Sequence, residues 1–394
     1  MTTRVVRVAM VAGEASGDLL ASHLIQELRA KMPNALFYGI GGPKMIGQGF
    51  DAWFPLEPLA VHGYVEALRH YREISGIRKN LKRRLLADAP DIFIGVDAPD
   101  FNLALEKTLK RHGVPTIHYV GPSIWAWRGK RIRTIGQSVS RILVLFPFEP
   151  TLYEKARIPV TYVGHPLADI LPLEDRRGEA RGLLGLPPEQ PVFALLPGSR
   201  QSELTHMADI FVETAKLIHQ RVPDAMFLVP LVTRETRLLF EAALYRRQAR
   251  ELPARLLFGH AHEAMAASDA VLTASGTATL EAALLKRPMV IAYKMAPLSY
   301  RLMRRMSYLP YVGLPNILAG RFVVPEFIQN DATPENLSTA LLNFWGDKET
   351  SASIGEVFRE IHVQLRQNTA EKAAEAVLAA LPAEVRKSVA LGVA

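Results

Sequence analysis

Short runs of β-branched and other apolar residues recur along this chain, each followed by a longer stretch of helical period. Arg7–Ala12 precedes Asp18–Lys31, Ile92–Val96 precedes Phe101–Arg111, and Thr116–Tyr119 runs into a loop. Strands covered on both faces by crossover helices read as continuous apolar runs, so this alternation predicts parallel α/β sheets. The pattern pauses at Leu167–Gln190, which is dense in Pro, Gly and charge and reads as a linker. A second series follows, with strands expected at Val192–Leu196, Met226–Val229, Arg255–Phe258, Ala270–Thr273 and Met289–Ala292. Helices are expected between them at Met207–Arg221, around Arg234–Arg247, at Ala261–Ala267 and at Thr277–Leu285. The expected α/β architecture is two Rossmann-like parallel-sheet domains, 1–166 and 191–333, joined by a linker at 167–190 and facing a cleft. A polar helical tail, 334–394, follows, with Thr333 capping a helix that Pro334 opens.

With 394 residues the chain is too long for one ordinary core, which agrees with two domains. It has no cysteine, which excludes a disulfide framework, a thiolate zinc site, an iron–sulfur cluster and a cysteine nucleophile. Catalysis must use oxygen, nitrogen or backbone groups. The net charge, 47 − 39 = +8, points to an acidic partner: nucleic acid, anionic lipid or a phosphorylated substrate. Its sign does not choose among them. Arg4 and Arg7 precede a short apolar run, but Glu14 and Asp18 follow at once, so the start reads as a strand and not a signal peptide. The longest apolar stretch, Ile142 to Phe148, is far below the roughly 20 residues of a spanning helix. A soluble or surface-bound protein is expected.

Chemistry-bearing residues gather where strands end. Gly13-Glu14-Ala15-Ser16-Gly17-Asp18 follows the first strand. Its glycines allow close backbone approach, but it lacks the G-x-G-x-x-G spacing, and its two acids would repel a pyrophosphate, so NAD binding is disfavoured. Asp18 and Ser16 read as capping groups as readily as catalytic ones. In Val96-Asp97-Ala98-Pro99-Asp100-Phe101-Asn102 a buried strand ends in carboxylates; Asp100 suits a helix cap, leaving Asp97 as a general-base candidate. Pro122-Ser123-Ile124-Trp125-Ala126-Trp127-Arg128 reads as a domain-edge core patch or as a stacking and acyl-lining wall.

In the second half, Leu196-Pro197-Gly198-Ser199-Arg200 places a forked donor suited to phosphate after a strand, with Glu203 near enough to hold it. Ser275-Gly276-Thr277-Ala278-Thr279-Leu280-Glu281 sets small hydroxylated residues around a glycine at a helix start, a phosphate cradle, with Glu281 one turn on to accept ribose hydroxyls. Strand, cradle and carboxylate in that order point to a nucleoside diphosphate. Asn316 in Leu314–Leu318, and Glu326 and Gln329 in Pro325–Gln329, read either as sugar recognition or as satisfied loop structure.

Taken in order, GEASGD, VDAPDFN, PSIWAWR, LPGSR, SGTATLE, LPNIL and PEFIQ resemble the lipid-A-disaccharide synthase family, glycosyltransferases of the two-Rossmann (GT-B) type, from residue 8 to about 330. The resemblance implies C-terminal helices crossing back to the first domain. It implies that the chain joins UDP-2,3-diacylglucosamine to 2,3-diacylglucosamine 1-phosphate, giving a β(1→6) disaccharide and UDP. Arg200, Ser275, Gly276, Thr277, Thr279 and Glu281 would then hold UDP, and Asn316, Glu326 and Gln329 would lie near the donor sugar and phosphates. Asp97 would be the leading base, with Glu14 and Asp18 as further acids, and Ser16, Trp125 and Trp127 on the acceptor side. No cofactor or metal is expected, because UDP belongs to the donor substrate and no suitable D-x-D marks the second half. A UDP-N-acetylglucosamine 2-epimerase or a lipid-linked glycosyltransferase shares the nucleotide half but does not predict GEASGD with PSIWAWR. The resemblance leaves a homodimer open. Nucleic acid is not expected, since no basic stripe interleaved with aromatics appears.

A helix is expected from Glu66 to Leu86, where Leu68, Tyr71, Ile74, Ile77, Leu81 and Leu85 form one stripe. Its basic excess, including Arg78, Lys79, Lys82 and Arg83, fits a face toward anionic lipid. Arg301, Arg304 and Arg305 form a candidate second contact. These readings place the protein in the cytoplasm, on the inner face of the inner membrane. His165, before Pro166, reads as hinge structure or as a donor contact.

Overall fold

The computed structural model describes residues 5–59, 64–126, 129–274, 276–296, 300–301 and 308–392; for 64–71 and 390–392 only the backbone is described. Trp127, Ser275, Arg304 and Arg305 lie outside the described residues, as do the side chains of Leu68 and Tyr71. Two sheets form, both parallel in every pairing. The first contains β1 (Arg7–Ala12), β2 (Leu36–Ile40), β3 (Asp51–Phe54), β4 (Ile92–Val96), β5 (Thr116–Tyr119), β6 (Arg141–Val144) and β7 (Val160–Tyr162). Its order is β3-β2-β1-β4-β5-β6-β7. The second contains β8 (Val192–Leu196), β9 (Met226–Leu231), β10 (Ala254–Phe258), β11 (Ala270–Ala274), β12 (Met289–Tyr293) and β13 (Glu326–Ile328), in the order β10-β9-β8-β11-β12-β13.

Both sheets begin in the middle, run outward in one direction, then return to the other side of the first strand. The reversal falls between β1 and β4 in one sheet and between β8 and β11 in the other. There the helices leaving the two neighbouring strands diverge, and ligands of open α/β sheets bind outside the carboxyl ends at such points. GEASGD follows β1, VDAPD follows β4, LPGSR follows β8 and the Gly276 turn follows β11. The fold thus brings these four motifs to two switch points.

In the first unit, alternate residues of β1, β4 and β5 serve opposite faces. Met10, Ile94, Val96, Ile117 and Tyr119 pack under the helix Ala15–Lys31, whose Leu24, Ile25 and Leu28 are fully buried. Ala9, Val11 and Phe93 pack on the other side under Leu81 and Leu85 of the helix Tyr64–Ala87 and Leu105 and Leu109 of the helix Pro99–Arg111. Ile74 and Ile77 also lean on this core. The described part of the predicted apolar stripe therefore faces the sheet.

The chain divides into two compact units, one ending at Pro166 and resumed from Leu365, the other spanning Leu167–Gln364. The segment read as a linker is part of the second unit. It forms helices Pro166–Ile170 and Arg177–Leu183 and is fastened by Arg181, whose guanidinium donates to Ala267 O (2.9 Å), Pro187 O (3.0 Å) and Gln190 O (2.8 Å) and meets Asp269 at 3.1 Å. Proline, glycine and charge there reflect short helices and a buried ion pair, features that composition does not separate from a linker. The tail divides as well. Helix Pro334–Gly346, capped by Thr333 as expected, packs on the second unit, whereas Ala373, Ala374, Val377, Leu381 and Val385 enter the core under β1 and β4.

Candidate active site

At the first switch point the chain turns sharply as it leaves β4. Asp97 and Ala98 are consecutive left-handed residues, with φ of 53° and 42°. Such residues cost about 1–3 kcal/mol each and persist where surrounding contacts fix them. Here Asp97 N–H donates to Tyr119 O (2.8 Å), and buried Asn102 donates its side-chain N–H to Asp97 O (2.8 Å). The GEASGD turn presses on the same loop, since a Cβ on Gly13 would lie 2.3 Å from that of Ala98. Burial raises the Asp97 carboxyl above the ordinary 3.8, and Glu14 raises it further, while His118 opposes them. A raised carboxylate at a switch point suits a general base.

The other acids separate. Glu14 occupies the N-cap position of the helix Ala15–Lys31 without a side-chain capping bond, and Ser16 is exposed in its first turn. Asp18 does not cap its own helix. It is buried, and its carboxylate accepts from Gly42 N (2.8 Å), Met45 N (3.1 Å) and Lys44 N (3.0 Å), closing the first turn of the helix Pro43–Gly47. Hydrogen bonds to a charged group contribute about 1.5–3 kcal/mol each, so Asp18 is a structural fixture. Asp100 does not cap the helix Pro99–Arg111; it is exposed and paired with Arg131.

Trp125 meets Phe148 and Phe146 edge-on, with centroids at 5.2 Å and 6.2 Å, and Phe146 stacks on His165 at 5.7 Å. This aromatic group follows the carboxyl ends of β5 and β6. Beside it Glu149 is buried, which pushes its carboxyl up to about 8.

At the second switch point Gly198 adopts φ 125°, and a Cβ there would meet Glu203 at 2.6 Å. Glu203 accepts from Ser199 N (3.0 Å) and Arg200 N (3.2 Å) and so holds the loop. The Arg200 guanidinium is 59% exposed and only 3.9 Å from Glu203, which leaves it available to an anion. Gly276, at φ 145°, and Thr277 are exposed at the start of the helix Thr277–Leu284. Thr279 is fully buried and donates to Gly276 O (2.8 Å), so it shapes the turn from within. Glu281 lies 3.6 Å from His262, whose imidazole it raises. Sequence reasoning missed His262 because no local spacing links the two positions.

Asn316, Glu326 and Gln329 are loop structure. Asn316 is fully buried, donating to Val324 O (2.9 Å) and Glu326 (2.8 Å) and accepting from Val323 N (2.7 Å) and Val324 N (3.0 Å). Glu326 also accepts from Val312 N and Gly313 N, each at 2.8 Å. Gln329 pairs through both side-chain atoms with the backbone of Met295 at 3.0 Å. These polar atoms are engaged with the protein, which supports the loop-structure side of the sequence reading.

Among the basic groups assigned to a membrane face, Arg78 is partly buried, reaching Asp100 O (3.4 Å) and lying over the Phe101 ring. Lys79, Lys82, Arg83 and Arg301 are exposed. Among the described residues no helix is long and apolar enough to cross a membrane.

The fold is similar to that of a putative UDP-N-acetylglucosamine 2-epimerase from Listeria monocytogenes, with a TM-score of 0.62 at 13% identity over 96% of each chain. It is also similar to WaaG, a glycosyltransferase involved in lipopolysaccharide biosynthesis, with a TM-score of 0.55 at 14% identity over 95% of this chain and 99% of that one. Two Rossmann-like sheets, each with its motifs at a switch point, define the GT-B fold class. The family model described as lipid-A-disaccharide synthetase matches residues 8–381. Lipid-A-disaccharide synthases are 67% identical in Dechloromonas aromatica (strain RCB), over 95% of this chain and 99% of that protein, and 57% identical in Methylobacillus flagellatus, over 94% and 98%. The chain belongs to the lipid-A-disaccharide synthase family. At 13% identity the epimerase likeness shows fold alone, and the epimerase alternative is not favoured.

Proposed function

We propose that this chain transfers the sugar of UDP-2,3-diacylglucosamine to the 6-hydroxyl of 2,3-diacylglucosamine 1-phosphate, releasing UDP and forming a β(1→6) disaccharide with inversion. The observation that carries the reading is Asp97, a carboxyl of raised proton affinity fixed in a left-handed turn at the β1/β4 switch point. In the proposed step the acceptor O6–H gives its proton to Asp97 as O6 bonds to the anomeric carbon. The bond from that carbon to the UDP oxygen breaks on the opposite side, which inverts the centre. Negative charge then grows on the departing diphosphate. Arg200 and the helix start at Gly276–Thr277 meet it, since a guanidinium and unpaired helix N–H groups both favour an anion. Charge is balanced in this way without a metal.

Purified protein given both substrates in excess EDTA is therefore expected to form disaccharide and UDP at its full rate, followed by chromatography of the two products. Loss of turnover in EDTA with recovery in Mg²⁺ would overturn metal independence; no disaccharide under either condition would overturn the reaction.

We place this activity on the cytoplasmic face of the inner membrane, since both proposed glycolipids carry acyl chains and exposed Lys79, Lys82 and Arg83 offer positive charge. Each cationic side chain near an anionic surface contributes about 1 kcal/mol, so neutralising all three to Gln should weaken binding to phosphatidylglycerol vesicles about a hundred-fold in low salt. Sedimentation with vesicles measures this. Unchanged binding removes that helix from the contact.

A further inference from the structure

Behind Asp97 the first unit carries a polar column that the transfer step above does not use. Asn102 and Glu106 lie one turn apart on the helix Pro99–Arg111, and His118 stands on β5 opposite Gly95 of β4. All three side chains are fully buried. Glu106 Oε1 and His118 Nδ1 are 2.7 Å apart. The column crosses β4 where that strand has no side chain. A Cβ on Gly95 would lie 2.2 Å from Glu106 Oε1 and 2.9 Å from Asn102 Cβ, so the glycine is what admits it. Asn102 Oδ1, Glu106 Oε2 and His118 Nε2 have no hydrogen-bond partner among the described residues. Each buried polar atom left unmet costs about 1–3 kcal/mol, and an apolar pair of equal volume would serve a core at least as well. Stability alone does not account for the column.

We propose that Asn102, Glu106 and His118 are positioning residues for Asp97: Asn102 fixes the left-handed turn, and Glu106 and His118 hold one proton between them as a buried counterweight that keeps Asp97 ionised. The inference rests on the reading of Asp97 as the base. Facing Asp97 are Glu14 from the turn after β1 and His118 from β5; Asp100, on the same loop, is paired with Arg131. Burial and Glu14 push the Asp97 proton affinity up, and a base already protonated at working pH accepts nothing. His118, held against Glu106 at 2.7 Å, pulls it back.

The test is the pH profile of kcat/KM with both substrates. His118→Gln and Glu106→Gln should each move the acid limb to higher pH by about one unit, and the double variant no further than either alone, because the Glu106–His118 pair is broken in all three. Glu14→Gln should move it to lower pH. A limb unmoved in folded His118→Gln and Glu106→Gln overturns the proposal. Asp97→Asn separates the two readings. Inactive Asp97→Asn with an unmoved limb rejects the column and leaves the base, whereas active Asp97→Asn rejects the base itself. Should the core variants fail to fold, ¹⁵N imidazole spectra of the unaltered protein decide. The His118 Nδ1 signal is expected to report a strong hydrogen bond to Glu106, and a bare Nδ1 overturns the shared proton.

Discussion

Asp97→Asn is expected to lower kcat by a factor of about 10²–10⁴, the usual contribution of a positioned general base. Asparagine is the informative substitution. It has the same shape, tolerates left-handed backbone, and keeps the bonds from Asp97 N–H to Tyr119 O and from Asn102 to Asp97 O, so the turn survives while the proton acceptor goes. Donor affinity should change little, because Arg200 and the Gly276 turn belong to the other unit. Steady-state kinetics with a thermal melt on the same sample measure both. A folded variant within a few-fold of wild type would mean that another group removes the proton.

Arg200→Ala is expected to lower kcat/KM for the donor by about 10²–10³, the range seen when one donor to developing negative charge is removed. The loop itself should hold. Glu203 binds the backbone amides of residues 199 and 200, which alanine retains. Arg200→Lys should recover only part of the loss, since an ammonium has charge but no planar fork. Product inhibition by UDP should weaken in parallel. Wild-type kinetics in Arg200→Ala would move the diphosphate away from this loop.

The alternation of apolar runs and helical stretches made the parallel sheets legible, and β1, β4, β5 and β8 fall where their apolar runs predict. Strands β2, β3, β6, β7 and β13 escaped; all but β2 span only three or four residues. The site was legible only in part. Asp97, Arg200 and Gly276 follow from strand ends, because such ends at a switch point define a ligand crevice. The internal bonds of Asp18, Asn316, Glu326 and Gln329 were not legible for one common reason: a polar residue in an apolar segment looks the same whether it meets a ligand or a distant backbone amide. Asp18 reaches Gly42 across 24 positions, and Asn316 and Glu326 close a loop by bonding each other and its backbone. No periodicity encodes such contacts. Gly95, inside the strand IFIGV, was a readable hint of close approach, and its cause, Glu106 and Asn102 crossing the strand, needed coordinates.

The most direct test of the central claim is the stereochemistry of the product. Wild-type protein given the α-linked UDP donor and the 1-phosphate acceptor should yield a single disaccharide whose anomeric ¹H–¹³C coupling and long-range correlation to C6 report a β(1→6) linkage. An α linkage, or UDP released with no disaccharide formed, would contradict a single displacement assisted by Asp97.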